Sequence, residues 1–302
     1  MLRLDPPAPG TRPQPLPDLA AAMTWYETEH PDLLAVQHTA AALGLHRVVW
    51  QLARTLTTFH VRRGHRRDRV AVWRAALEAA AHLPDPASLI TAHRCLGTAC
   101  TDLGRHEEAT RHLHRALALA EHHRDTPQLA YTHLALGWAW SYWGDDRKGV
   151  AHATRALDLF RALDQPLWEA DALTQVSGYA LVLGDYEAAR THGRAALALL
   201  RRHRDPVGES AVLVQLGRAD HLTGRHREAV ERYEQVLALL RPLGYTYEVA
   251  NTLCHLGDAH TALGEHARAR AARQEAIGLY RAQGRDEDVR RVRRLLDEST
   301  AG

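Results

Sequence analysis

The stretch LGTACTDLGRHEEA, Leu96 to Ala109, decides the fold, because its punctuation returns in VSGYALVLGDYEAA at 176–189 and in LGDAHTALGEHARA at 256–269. In each copy a small residue is followed seven positions later by glycine. The glycines form a ruler, Gly64, Gly104, Gly144, Gly184, Gly224 and Gly264, each 40 residues after the last. Their small partners are Thr57, Gly97, Gly137, Ser177, Gly217 and Gly257. A third small position keeps the same interval at Ala76, Ala116, Ala156, Ala196 and Ala276, with Val236 as the exception. Self-similarity at a fixed period of this length is the signature of a stacked repeat protein.

Each period reads as two helices. Leu89, Ala92, Leu96, Ala99 and Leu103 recur at helical spacing before the ruler glycine, and Ala109, Leu113, Ala116, Leu117 and Ala120 do so after it. The glycine falls where a helix C-terminus needs left-handed dihedrals without a Cβ clash. At the other end of the unit, Asp85-Pro86, Asp125-Thr-Pro127, Asp164-Gln-Pro166 and Asp205-Pro206 place a carboxylate to cap free N–H groups and a proline in the first turn. About 18 residues per helix gives rods roughly 27 Å long. Each hairpin buries its apolar stripe only against its neighbours, so the expected architecture is an all-α solenoid. The expected division is a proline-rich leader at 1–18, a helical cap at 19–48, six hairpins at 49–284, and a charged capping helix and tail at 285–302.

The totals agree with helix. The chain of 302 residues is 45% hydrophobic and 25% charged, rich in Ala, Leu, Arg and Glu, and long enough to bury a core without staples. A formal charge of +2, with acids interleaved among the arginines, leaves no concentrated footprint for direct nucleic-acid binding. Cys95, Cys100 and Cys254 have no paired spacing and suit reduced thiols in a cytoplasmic protein. No secretory leader and no membrane-spanning run is present in the sequence.

Catalytic and metal chemistry find little support. The only lysine, Lys148, lies in GDDRKGV, which does not match a phosphate-binding loop, and no G-x-S-x-G elbow surrounds a serine. The expectation is therefore no enzyme and no cofactor. Among 21 histidines no pair is three or four apart, the spacing that would set two ligands on one helical face, so no metal site is expected. His112, His152 and His192 fall 40 apart as a ladder explained by repeat ancestry. Arg290-Arg291 and Arg293-Arg294 alternate with Asp286, Glu287, Asp288, Asp297 and Glu298, as on a solvated capping helix.

The pattern of small residue, glycine seven on, aromatic or histidine two later and then alanine resembles the tetratricopeptide repeat (TPR), over about residues 49–284. It departs in period, 40 residues rather than 34, and Gly149 stands where the other units mostly have alanine, so local irregularity is expected there. WYETEHPDLLAVQHTAAALGLHRVVWQLARTL, Trp25 to Leu56, is similar to the start of the repeat region in AfsR-like antibiotic regulators of the SARP and STAND groups. In these, DNA-binding, activator and NB-ARC switch domains precede the repeats, and Pro6 to Pro17 resembles the connecting linker.

The resemblance implies a right-handed superhelix whose first helices line a concave groove for a protein, a peptide or the regulator's own NB-ARC-like switch domain. Carried over, the groove positions are Arg94, Thr98 and Asp102; Tyr131, Trp138 and Tyr142; Asp171 and Thr174; Arg218 and His221; Asn251 and Asp258. Thr91, Leu134, Ser141, Gly178, Leu181, Ala211, Val214, Cys254 and Thr261 share the same registers. In LGWAWSYWGDD, Leu136 to Asp146, Trp140 and Trp143 are expected in the core and Trp138 and Tyr142 on the groove stripe with Tyr131. These aromatics either contact a partner or brace adjacent helices. The implied function is a protein-interaction and sensing module of a transcription regulator. The alternatives are a receptor for a peptide or small-molecule signal and a free-standing assembly scaffold.

Overall fold

The computed structural model describes Gly10 and residues 15–301, the side chains of Ala20 and of residues 297–301 aside. Most of the expected proline-rich leader and the last residue of the tail lie outside the described residues. The described residues form fourteen helices and no strand. The helices α1 (Leu19–Ala42), α2 (His46–Arg63), α3 (Arg66–Ala80), α4 (Pro86–Asp102), α5 (His106–His122) and α6 (Thr126–Tyr142) belong to one compact unit, residues 1–143. The second unit, residues 144–302, holds α7 (Asp146–Ala162), α8 (Pro166–Val182), α9 (Tyr186–Arg202), α10 (Pro206–Leu222), α11 (His226–Leu240), α12 (Thr246–Ala262), α13 (His266–Ala282) and α14 (Asp286–Ala301). Within each unit every helix packs on the next, and alternate helices also meet, α4 with α6, α8 with α10 and α10 with α12.

The glycine ruler marks the helix ends. Gly64, Gly104, Gly144, Gly184, Gly224 and Gly264 all have positive φ, between 71 and 84°. A second set, offset by half a period, turns the chain from one hairpin to the next. Gly44, Gly244 and Gly284 sit there, and Arg124, Asp164 and Arg204 adopt the same left-handed region with φ of 50 to 55°. A residue with a Cβ is disfavoured in this region by roughly 1–2 kcal/mol.

The seven-residue partner of each glycine has its own cause, since it lies where the two helices of a hairpin cross. A Cβ on Gly97 would meet the Leu113 side chain at 2.7 Å, and one on Gly217 would meet the Tyr233 ring at 2.6 Å. At the corresponding crossing of the first hairpin Thr57 Oγ1 accepts a bond from Trp73 Nε1 at 3.0 Å. Ser177 donates to the Ala189 carbonyl at 2.8 Å, opposite Gly193. In each case a small residue leaves room for a larger neighbour or for a hydrogen bond.

Two local expectations fail. Asp85, Asp125 and Asp205 cap α4, α6 and α10 through side-chain bonds of 3.0 Å to backbone N–H groups, but Asp164 does not cap α8. It stands one position ahead of the 40-residue register, so its backbone is used for the left-handed turn and Gln165 takes the N-cap place, its side chain not capping the helix. Gly149 was expected to bring irregularity, yet α7 runs unbroken through it, because one glycine in a packed helix costs only about 1 kcal/mol. The boundary between the two compact units falls just before that helix, at Trp143 and Gly144.

Candidate functional site

In the first unit, Arg69, buried on α3, reaches the neighbouring α4, forming an ion pair with Asp102 and donating to Thr98 Oγ1 at 3.0 Å. Burial raises the Asp102 carboxyl pKa, and the charges of Arg69 and Arg66 oppose that rise. Arg94 holds its guanidinium 5.5 Å from the centre of the Tyr131 ring, a cation–π contact between α4 and α6. Trp138 and Tyr142 lie against each other on α6, ring centres 5.6 Å apart, with Tyr142 51% exposed. Trp140 and Trp143 pack edge to face against the cluster of Leu113, Leu136 and Ala139. Trp138, Trp140 and Trp143 are all half-buried, and of the four aromatics in the run only Tyr142 is exposed, so the expected division into core and groove positions is not drawn by burial.

In the second unit, the N-terminal halves of α10 and α12 part to form a cleft of about 610 Å³. Val207, Ser210, Ala211, Val214 and Gln215 form one wall, Glu248, Asn251, Thr252 and His255 the other, and Leu240 and Tyr245 close the end. Each wall is a stripe at three- and four-residue spacing, one face of a helix. Asn251 accepts a 2.5 Å bond from the Tyr280 hydroxyl, which fixes the amide. Gln215 Oε1 is buried without a hydrogen-bond donor. Burial, with Arg218 adding repulsion, lowers the pKa of His255, so its ring stays neutral near pH 7. A mostly apolar wall on α10 facing amide, hydroxyl, carboxylate and imidazole groups on α12 suits a peptide-sized ligand.

The carried-over positions divide accordingly. Asn251 lines the cleft, as do Ala211 and Val214 from the wider registers. Arg218, His221 and Asp258 lie beyond its lining; Asp258 pairs with Arg273 at 2.8 Å and His221 with His226 at 3.2 Å. On α8 the Thr174 hydroxyl turns back to the Ala170 carbonyl at 2.7 Å. Asp171 is solvent-accessible yet crowded by protein, and desolvation, with Asp205 nearby, pushes its carboxyl pKa up to about 6. Four of the wider positions are buried and present no surface: Thr91, Leu134, Leu181 and Cys254. Gln215, Tyr245 and His255 were missed. The signal for two of them was in the sequence, since Gln215 and His255 are themselves 40 apart and four residues after Ala211 and Asn251.

Histidines also meet in pairs that spacing along a helix does not show. His30 Nε2 and His60 Nε2 are 3.0 Å apart, and His93 Nδ1 and His112 Nδ1 are 2.9 Å apart. His112 therefore has a specific neighbour on α4, beyond its place in a ladder. Burial, reinforced by His112 and Arg115, lowers His93 to about 4.

The geometry defines a class, helical-hairpin repeats stacked by register with an interhelical cleft. The comparisons then name the family. The profile described as "Tetratricopeptide repeat" matches residues 88–162, 168–242 and 210–282, and the chain belongs to that family. Among solved structures it is similar to BtubC (BKLC) from P. vanneervenii, at 20% identity and a TM-score of 0.65, covering 72% of this chain and 92% of that one. A Rap protein complexed with Competence and Sporulation Factor aligns at 13% identity and a TM-score of 0.65, over 93% and 84% of the two chains. A STAND protein with a tetratricopeptide repeat sensor from Pyrococcus horikoshii aligns at 15% identity and a TM-score of 0.63, over 84% of this chain and 43% of that one. At these identities the likeness is one of fold. No curated protein sequence matches the chain. No helix among the described residues is long and apolar enough to cross a membrane.

Proposed function

We propose that the chain is a protein-interaction and sensing module that takes a short peptide segment of a partner in the cleft between α10 and α12. The observation that carries this reading is the combination of an apolar α10 wall with the buried, donor-free Gln215 Oε1 and, opposite, the pinned Asn251 amide. A peptide offers the complements, an apolar side chain for Val207, Val214 and Leu240, a backbone N–H for Gln215 Oε1 and a backbone carbonyl for the Asn251 amide N–H. The proposed role is binding without catalysis, in the cytoplasm. The AfsR-like resemblance extends the proposal: binding shifts an equilibrium in attached domains of a longer regulator, with an NB-ARC-like domain as the intramolecular partner. The fold shared with a STAND protein that carries a TPR sensor supports this extension, and the fold shared with a Rap protein bound to a signalling factor supports the signal-receptor alternative.

A second reading places the partner on the first unit, at the half-buried Tyr131 and Trp138 and the exposed Tyr142, because aromatics reaching the surface on one helical face are frequent binding anchors. Displayed random peptides selected on the tag-free chain, with affinities then measured by calorimetry, test the proposal. The expected result is one saturable site weakened at least tenfold by Gln215→Ala or Asn251→Ala. Peptides whose binding ignores both variants but collapses with Trp138→Ala move the site to the second reading, and no saturable peptide overturns both.

A further inference from the structure

The N-terminal part of the first unit gathers three imidazoles and a carboxylate from three separate segments. His30 comes from the middle of α1, His60 from the last turn of α2, His65 from the N-cap of α3 and Asp68 from its first turn. His30 Nε2 lies 3.0 Å from His60 Nε2 and 3.9 Å from Asp68 Oδ2, and His65 Nδ1 lies 3.6 Å from Asp68 Oδ2. One donor atom each of His30, His65 and Asp68 can be enclosed with all separations within 4.8 Å. We propose that this cluster binds one divalent transition-metal ion of the zinc type, with His30, His65 and Asp68 as ligands.

Bonds of about 2.0–2.1 Å in a tetrahedron put the donors about 3.3 Å apart, and Asp68 Oδ2 lies 3.9 Å from His30 Nε2 and 3.6 Å from His65 Nδ1, a little wider than that edge. Small rotations of the side chains close the remainder. Imidazole with one carboxylate is the donor set that suits zinc and its neighbours, whereas calcium and magnesium prefer oxygen alone. His30 and His60 are 8% and 1% exposed, and His60 Nδ1 is buried without a hydrogen-bond partner. The rings are held in place by Phe59, whose ring lies 5.1 Å from that of His65 and 5.2 Å from that of His30.

The outer contacts fit as well. The far nitrogen of His65 is buried without a hydrogen-bond partner, with Glu27 Oε1 the nearby carboxylate oxygen at 3.9 Å. The nearby guanidiniums are otherwise engaged, Arg63 with Glu27 at 3.1 Å and Arg69 with Asp102 and Thr98, so no cation occupies the centre of the cluster. Because the donors join α1 to the α2–α3 turn, the ion would fasten the first helix to the first hairpin.

The test uses the full tag-free chain, stripped with chelator and titrated with Co²⁺ as the spectroscopic probe and Zn²⁺ for affinity. The expected result is one Co²⁺ per chain with the visible bands of a four-coordinate nitrogen-and-oxygen site, and a rise in the melting temperature with Zn²⁺. Asp68→Asn and His65→Gln, both at partly exposed positions, are expected to abolish the bands and weaken Zn²⁺ at least tenfold while leaving the helical circular dichroism intact. Should either variant fold poorly, X-ray absorption on the wild-type Zn²⁺ complex decides, with two or more imidazoles in the first shell expected. No stoichiometric Co²⁺ band, a shell of water oxygens, or unchanged binding in both folded variants overturns the proposal.

Discussion

The two units fill one repeat with different materials, and the contrast separates what the repeat requires from what function adds. The first places aromatics and neutral histidines at its special positions: Trp73 against Thr57, His30 against His60, and Trp138 beside Tyr142 on the surface. The second uses glycine with tyrosine at one crossing, buries an arginine–aspartate network, and opens a cleft between α10 and α12. Hairpin geometry survives both choices, so the differences are free to carry binding.

The largest expected effect tests the charged interior of the second unit. Asp220 is 2% exposed, 2.5 Å from Arg232 Nε and 3.8 Å from Arg190, itself 3% exposed. Removing the carboxylate strands buried charge, so Asp220→Ala is expected to cost about 3–5 kcal/mol in denaturant titrations. Asp102→Ala in the first unit, whose carboxylate is partly exposed, is expected to cost clearly less. Equal losses would erase the distinction between the two interiors.

Next come the crossings. Gly217→Ala drives a methyl into the Tyr233 ring and is expected to cost roughly 1–3 kcal/mol. Thr57→Ala instead leaves the Trp73 indole N–H without its acceptor, again about 1–3 kcal/mol. The two can be told apart by rescue: shrinking the partner in Gly217→Ala/Tyr233→Leu is expected to recover part of the loss, while Thr57→Ser is nearly neutral because it keeps the oxygen. Failure of both rescues would mean that the crossing residues are not complementary pairs.

These crossings were legible in the sequence because sterics admit few residues there, and the same holds for the turn glycines, whose positive φ almost demands glycine. Asp164 was misread because it sits one residue off register, a slip that spacing by eye passes over. The cleft was only half legible. The 40-residue ruler led to Asn251 but then continued to Asp258, whereas the lining follows the α12 face to His255. The His30, His65 and Asp68 cluster was missed by a search for histidine pairs on one helix, because His30 joins the other two from 35 residues away on another helix.

Acid is expected to act through the first unit's histidines. His93, packed against His112 and near Arg115, titrates in the fold at about 4, below its ordinary value of about 6.5. Since the folded value is depressed, the unfolded chain takes up the proton first. The stability contributed by neutral His93 is complete above about pH 6.5 and is lost as the pH falls from there toward 4. Melting temperatures measured from pH 7.5 to 4.5 are expected to fall over that window, and His93→Gln to flatten the fall. A profile unchanged by the variant would remove His93 from the account.

The smallest effects are in the turns. Arg204→Gly relieves a left-handed backbone at φ 55° and is expected to stabilise by about 0.5–1 kcal/mol, whereas Gly184→Ala, at φ 82°, is expected to destabilise by about 1 kcal/mol. Thermal melts that give the two substitutions the same sign would contradict the assignment of paired turn rulers.

The most direct test of the central claim blocks each candidate surface separately. Calorimetry of one selected peptide against wild type, Val214→Trp, which fills the α10–α12 cleft, and Trp138→Ala/Tyr142→Ala, which strips the α6 surface, compares them in a single experiment. The account predicts at least a tenfold loss for Val214→Trp and little change for the α6 variant. Full affinity in Val214→Trp would contradict it.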